Sequence, residues 1–272
     1  MKTLHYIGAT MGALALATSL MGANIHSSHA AGTTDTASTA VLTVAGYSIQ
    51  PVAYPGDTFT QLLGINTAGT IAGYHGSGQD AAHPNKGFVL NLANPASPVF
   101  TAENYPGSVQ TQVIGINNYG YTDGFYVDSA GANHGFRLIA GSYATADVPG
   151  TTFNQLLGTN DLNQVVGYYQ FGANNVFQPY ISLHGSYILP IIANAQATGI
   201  NNAGLVSGFS AATGRGFLYQ ELGIPASAKI LSFPQSASTA ALGLNNVGQA
   251  VGSYNDNQGN THGFVYNEST NT

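Results

Sequence analysis

The chain has 272 residues, no cysteine and only 6% charged residues, with five Lys and Arg against eleven Asp and Glu. So few cations cannot neutralise a run of phosphates, which sets aside nucleic acid as a partner and leaves no polybasic segment for an anionic membrane. A hydrophobic content of 44%, with 16 Tyr and 12 Phe, sets aside disorder, and a core without disulfides must hold by packing and backbone ladders.

Lys2 precedes a mostly apolar stretch, Ile7 to Ala23, and Ser28-His29-Ala30 places small residues at the −3 and −1 positions of a cleavage site. Residues 1–30 therefore read as a cleaved signal peptide of a secreted or periplasmic protein. Gly12, Thr18 and Ser19 dilute the run below what a bilayer span needs, and no later stretch is apolar enough, so no membrane span is expected in the mature chain. Residues 31–40 are small and polar, a flexible leader. Residues 41–268 remain as a single domain.

That domain is a repeat. Gly64-Ile65-Asn66 recurs as Gly115-Ile116-Asn117, Gly158-Thr159-Asn160, Gly199-Ile200-Asn201 and Gly243-Leu244-Asn245. Each copy has a proline nine residues earlier: Pro55, Pro106, Pro149, Pro190 and Pro234. Five residues after the first Gly stands Gly69, Gly120, Asn163, Gly204 or Gly248. Nine residues after it stands Gly73, Gly124, Gly167, Gly208 or Gly252, followed in four copies by Tyr74, Phe125, Tyr168 or Phe209. A Gly-Phe pair comes later: Gly87-Phe88, Gly135-Phe136, Gly216-Phe217 and Gly263-Phe264, with Pro179-Tyr180 in the third copy.

Asn-x-x-Gly between apolar runs predicts a hairpin turn whose last residue needs positive φ, which Asn163 also tolerates. In the first copy Leu62–Ile65 and Thr70–Tyr74 are the paired strands, Gly87–Leu90 a third and Val99–Glu103 a fourth. The proline then ends the ladder. Four strands per repeat, five times over, predict an all-β, five-bladed β-propeller. The last copy stops after its third strand, at Gly263-Phe264-Val265-Tyr266. Residues 46–56, before the first copy, resemble the fourth strand at 141–150, so an N-terminal strand is expected to close the last blade, with Val41–Val44 as a possible second. An open β-solenoid is the competing fold.

These marks resemble the His-Ala-Phe (HAF) family of probable extracellular repeat proteins. His134-Gly135-Phe136 and His262-Gly263-Phe264 match with Gly in the middle, while Lys86-Gly87-Phe88 and Arg215-Gly216-Phe217 keep the last two positions in modified form. The likeness spans residues 47–266. It implies an exported repeat protein and carries over no functional residues.

Motifs for catalysis are missing: there is no Gly-x-Ser-x-Gly elbow, no His-Glu-x-x-His and no P-loop. No cofactor or metal is expected. Glycosidase chemistry needs two facing carboxyls, and few acids recur at matching repeat positions. Asp123 stands where other copies have Ala72, Val166, Ser207 and Val251, which makes it the candidate catalytic acid, with a backbone-bonded blade acid as the structural alternative. The loops from Asp128 to His134 and from Asp256 to His262 share the pattern Asp-x-x-Gly-x-x-His. Each offers one carboxylate, too few for Ca²⁺, so an Asx turn or a ligand contact is expected. Gln61, Gln112, Gln155 and Gln196 stand three residues before the repeat Gly. They either bridge neighbouring sheets or form a polar ring at a pocket mouth. Variable loops rich in Asn, Asp, His and Gly suit a neutral polar ligand. The leading reading is a secreted binding or surface-interaction module for a glycan or cell-surface polymer, rather than an enzyme. The alternatives are a polysaccharide hydrolase or lyase and a structural matrix or envelope protein.

Overall fold

A computed structural model gives the structure of residues 42–44, 47–49, 51–77, 82–92, 97–171, 176–183, 185–188, 192, 194–220 and 227–272. The expected signal peptide and leader lie outside these. The architecture is the all-β, five-bladed β-propeller that the repeat predicts, and the described residues contain no helix. The first blade is β3 (Phe59–Ile65), β4 (Thr70–Gly76), β5 (Lys86–Asn91) and β6 (Val99–Ala102). The second is β7 (Gln110–Ile116), β8 (Thr122–Val127), β9 (Asn133–Ile139) and β10 (Ser142–Thr145). The third is β11 (Asn154–Thr159), β12 (Val165–Phe171), β13 (Val176–Leu183) and β14 (Ser186–Ile188). The fourth is β15 (Ala195–Ile200), β16 (Leu205–Ser210), β17 (Arg215–Gln220) and β18 (Ser227–Leu231). The fifth has three strands, β19 (Ser238–Leu244), β20 (Gln249–Asn255) and β21 (Thr261–Asn267). Every sheet is a meander of sequence neighbours. The chain divides into two compact units, one of Ser27–Asp147 with Asn154–Gly158 and one of Val148–Phe153 with Thr159–Thr272.

The N-terminal strands depart from expectation. β1 (Leu42–Val44) and β2 (Tyr47–Ile49) pair with each other, Val44 opposite Tyr47, and are not part of the fifth sheet. A two-residue connection closes such a hairpin at far lower entropic cost than pairing with a strand some two hundred residues away.

Two glycine positions in each repeat have backbone causes. Gly69, Gly120, Gly204 and Gly248 hold φ of 78°, 75°, 77° and 80°, and Asn163 holds 59° in the same place. Opposite the first strand, Gly73, Gly124, Gly208 and Gly252 face a β-bulge, where the register slips between Leu62 and Gly64, Val113 and Gly115, Ala197 and Gly199, and Ala241 and Gly243. A Cβ on these four would stand 2.3, 2.0, 2.2 and 2.0 Å from the carbonyl oxygens of Gln61, Gln112, Gln196 and Ala240. Only glycine lets the bulged strand come that close.

The repeat asparagine joins the turns. In all five copies its Oδ1 accepts the amides two and four residues ahead, at 3.0–3.1 Å, which closes the turn. Its Nδ2 reaches the next blade. Asn66 donates to the Asn117 carbonyl at 3.1 Å, Asn160 to that of Asn201 at 2.9 Å, and Asn201 to that of Asn245 at 3.1 Å. The residue after the next asparagine answers. Asn118 Oδ1 accepts the Thr67 amide, Asn202 Oδ1 that of Asp161 and Asn246 Oδ1 that of Asn202, at 2.8–2.9 Å.

Apolar packing fills the space between neighbouring sheets. Ala72 of β4 meets Val113 and Ile116 of β7 with Phe136 of β9 in one cluster. Leu205, Leu218 and Leu231 of the fourth blade meet Ala241 and Ala250 of the fifth in another. The Gly-Phe aromatics Phe88, Phe136 and Phe217 and their counterpart Tyr180 are fully buried, each contributing a core side chain whose loss costs about 3–5 kcal/mol.

Asn201 is buried and makes both the turn and the inter-blade bonds, whereas Asn245 is exposed and its Nδ2 bonds to Gln249 within its own turn. Asn201→Ala strands two amides and a carbonyl and is expected to cost about 2–4 kcal/mol, against about 1 kcal/mol for Asn245→Ala. Urea denaturation of the two variants checks the ranking.

Candidate functional site

The Pro-Gly link between blades is a tight turn. Gly56, Gly107 and Gly150 hold φ of 86°, 77° and 81°, and Gln235 holds 61° in the fifth copy, which is a proline followed by a positive-φ residue. The residue before the proline is pinned by a threonine six residues on. Thr60, Thr111 and Thr239 Oγ1 accept the amides of Tyr54, Tyr105 and Phe233 at 2.8, 3.1 and 2.9 Å. This staple lays an aromatic ring over the second strand of its blade.

The ring it meets is two residues after the second repeat glycine. Tyr54 stacks on His75 with centroids 3.4 Å apart, Tyr105 on Tyr126 at 3.8 Å and Phe233 on Tyr254 at 3.7 Å, all within 5° of parallel. In the second and fifth blades a third ring joins. His134 stands opposite Tyr126 across the β8–β9 ladder and His262 opposite Tyr254 across β20–β21, both with centroids 5.0 Å away. The two three-ring piles match in spacing and tilt. In the first blade the same ladder position opposite His75 is Lys86.

Each pile carries a carboxylate. Asp128 Oδ1 accepts the amides of Ala130 and Ala132, and Asp256 Oδ1 those of Gln258 and Asn260, so both loops are Asx turns. The other oxygen meets the histidine: His134 Nε2 lies 3.4 Å from Asp128 Oδ2 and His262 Nε2 3.0 Å from Asp256 Oδ2. All four loop residues singled out from the sequence thus come together, in two pairs. A second acid was not foreseen. Asp147, in the link after β10, bonds His134 Nδ1 at 2.7 Å and accepts the Gly135 amide at 2.9 Å. The first blade solves the same problem differently. Asp57, just past the Pro-Gly turn, bonds His75 Nδ1 through one oxygen and the half-exposed His83 Nε2 at 2.7 Å through the other.

The charges follow from these bonds. The turn amides, chiefly that of Ala132, hold Asp128 below the usual carboxylate range, and the His262 bond does the same for Asp256. Partial burial depresses His134, but Asp147 and Asp128 outweigh it and raise its pKa. Among the described residues these imidazoles bond to carboxylates and to no hydroxyl, unlike a Ser-His-Asp arrangement, and no cluster of three or more His, Asp or Glu is set to hold a metal. What the piles offer is a stack of aromatic rings beside oriented donors and acceptors.

The other sequence candidates lie inside the sheets. Gln61, Gln112, Gln155 and Gln196 are 6, 1, 4 and 3% exposed. Gln61 accepts from the Tyr74 hydroxyl, and Gln155 Nε2 donates to Asn133 Oδ1 of the second blade at 3.3 Å. Their burial places them among packed side chains rather than at a surface. Asp123 is fully buried in β8, one oxygen accepting the Gly115 amide at 3.1 Å and the other unpartnered. Burial pushes its pKa up to about 7, against the pull of nearby Arg137. Glu103, also buried, is raised by burial and accepts from the Thr122 hydroxyl.

No family model matches the chain, and no curated protein matches it. The chain has a likeness to solved structures, two of which are as follows. One is a triple arginine-to-alanine mutant of AofleA from Arthrobotrys oligospora, at 11% identity over 81% of this chain and 68% of that one, with a TM-score of 0.39. The other is the β-propeller domain of the Trilobed protease from Pyrococcus furiosus, described as having an open velcro topology, at 10% identity over 78% and 96% of the two chains, with a TM-score of 0.27. The chemistry of the site therefore rests on this chain's own geometry.

Asp123 makes stability depend on pH. Its folded pKa lies above the unfolded value near 3.8, so its contribution is most favourable below that value and is lost as pH rises toward 7. The loss is expected to reach about 4 kcal/mol between those limits. Denaturant unfolding of Asp123→Asn at several pH values is expected to show that slope removed. His134 adds a second window. Its raised pKa contributes stability that is complete below the ordinary histidine value of 6.5 and lost as pH rises through the folded one. NMR titration is expected to place His134 above 6.5, and Asp147→Asn to bring it down.

Proposed function

We propose that the protein is an exported binding module that recognises a neutral glycan at the aromatic and imidazole piles of its blades. A β-propeller fold is consistent with a binding or interaction module. The observation that carries the finer reading is the repeated pile: Tyr105–Tyr126–His134 with Asp128, and Phe233–Tyr254–His262 with Asp256. A sugar ring presents an apolar face edged by hydroxyls. Stacked rings match the face, and a fixed carboxylate beside an imidazole matches two adjacent hydroxyls. Tyr54 over His75 with Asp57 is a variant of the same site. Weak sites on several blades gain strength by acting together on a polymer. The HAF-type resemblance and the signal-peptide pattern of residues 1–30 support export. The polymer-cleaving alternative gains nothing at Asp123, which is sealed from solvent.

A broad glycan array tests this. The purified chain is expected to bind one class of neutral glycan, and Tyr126→Ala and Tyr254→Ala are each expected to weaken binding about tenfold, the worth of one stacked ring. A blank array from protein shown folded by circular dichroism would sink the reading.

A further inference from the structure

The imidazole sites of the first, second and fifth blades differ in how many N–H groups their bonds demand. In the fifth, His262 meets one carboxylate, Asp256, through Nε2. In the first, His75 Nδ1 and His83 Nε2 meet the same carboxylate, Asp57. One N–H per ring satisfies each of these. In the second blade the count is reversed, and one ring meets two carboxylates. His134 Nδ1 lies 2.7 Å from Asp147 Oδ2, and its Nε2 lies 3.4 Å from Asp128 Oδ2. A carboxylate only accepts, so both bonds form only when both ring nitrogens carry hydrogen and the ring is an imidazolium.

Both carboxylates are tied down by backbone. Asp128 Oδ1 accepts the Ala130 and Ala132 amides at 2.8 and 2.9 Å, and Asp147 Oδ1 accepts the Gly135 amide at 2.9 Å. The ring is held as well, against Tyr126, which stacks on Tyr105. The hydroxyls of Tyr105 and Tyr126 both bond Thr145 Oγ1, at 2.8 and 3.0 Å, and burial raises the Tyr126 pKa, so that phenol stays neutral. Arg137, three residues along β9, lies on its other face, opposite Asp123. Partial burial opposes charge on His134, but Asp147 and Asp128, the charged groups that act on it, outweigh burial and raise its pKa.

We propose that the pile of the second blade is a proton-gated ligand site: loss of one proton from His134 breaks its Nε2 bond to Asp128 and leaves two acceptors side by side for a ligand that brings two donors. The class of ligand, a sugar with adjacent hydroxyls, rests on the glycan reading above. The proton goes to solvent from Nε2. Nδ1 keeps its hydrogen, because its bond is the shorter and Asp147 is fixed by Gly135. Nε2 then turns a lone pair toward Asp128 Oδ2, a contact that repels until a donor sits against both atoms. In the imidazolium the same two atoms bond each other instead. The fifth blade differs, because His262 can hold its one N–H on Nε2 whether the ring is neutral or charged. Its bond to Asp256 is therefore indifferent to the proton. Matching piles thus make one gated site and one ungated site.

The test has two arms. Long-range proton–nitrogen correlation spectra of the nitrogen-15-labelled full chain, taken from about pH 5 to about pH 9, are expected to show both His134 nitrogens protonated on the acid side and only Nδ1 on the other. In Asp128→Asn the carboxamide keeps an oxygen for the turn amides and can donate to the bare Nε2, so His134 is expected to titrate at lower pH than in the parent chain. The second arm is the neutral glycan array, read at the two ends of that pH range. Tyr254→Ala, which leaves the second pile intact, is expected to bind about tenfold more tightly at the higher pH, and adding Asp128→Asn is expected to remove that difference. Tyr126→Ala, which leaves the fifth pile intact, is expected to change by less than about threefold. A proton kept on Nε2 above the titration, or binding by Tyr254→Ala that is flat with pH, would overturn the proposal. A blank array would sink the glycan reading and with it the ligand named here, and the gate then stands or falls on the spectra.

Discussion

The repeat depends on one carboxamide. A side chain at the hairpin turn must accept two backbone amides of its own turn and still donate to a carbonyl of the next blade. Asparagine carries both an acceptor oxygen and an amine at the right reach. Aspartate keeps the acceptor and loses the donor, serine is too short, and glutamine overshoots the turn. Asn66, Asn160 and Asn201 each make all of these bonds, so that turn closure and blade spacing are set by the same group. The bulge opposite the second repeat glycine then fixes how the first two strands cross, and the Gly-Phe aromatic fills what remains between sheets.

The candidate site grows out of that scaffold. A Pro-Gly turn stapled by threonine holds a ring in place, and the second strand, paired with the bulged first, brings its partner beneath it. The site thus costs little extra order, because both rings sit on backbone already fixed by the fold. Asp128 and Asp256 serve twice, one oxygen shaping the loop and the other orienting the histidine. The buried acids Asp123 and Glu103 belong to a different account. They are a stability liability, Asp123 in the second blade and Glu103 at the end of the first, offset in part by Arg137 and Thr122.

The blades are not equal, and the differences concern function. The three-ring pile is complete where the residue before the proline and the residue two past the second glycine are both aromatic and a histidine opens the third strand. Copies two and five meet this. Copy one has the stack with Lys86 in place of the histidine. Copies three and four break it, with Val148 and Tyr169 in one and Leu189 and Ser210 in the other. That coincidence is visible in the bare sequence once the stack is known, and is the signal by which the piles were findable.

The sequence by itself determined the five repeats, the strand count of the first four blades, and the turns at Asn66–Gly69 and its copies. Each of these rests on a backbone demand that only one or two residue types meet: positive φ at Gly69, a fixed φ at Pro55, no Cβ at Gly73. It also placed Asp128 and His134 at the two ends of one short connection. Only the tertiary structure decided that Tyr105 lies on Tyr126, that Asp147 reaches His134 from the next link, that the four glutamines turn inward, that Asp123 is sealed, and that β1 pairs with β2 rather than with the fifth blade. These are meetings of side chains and strands far apart in the chain, set by register and burial, and a local pattern of residue types carries no record of register between distant segments.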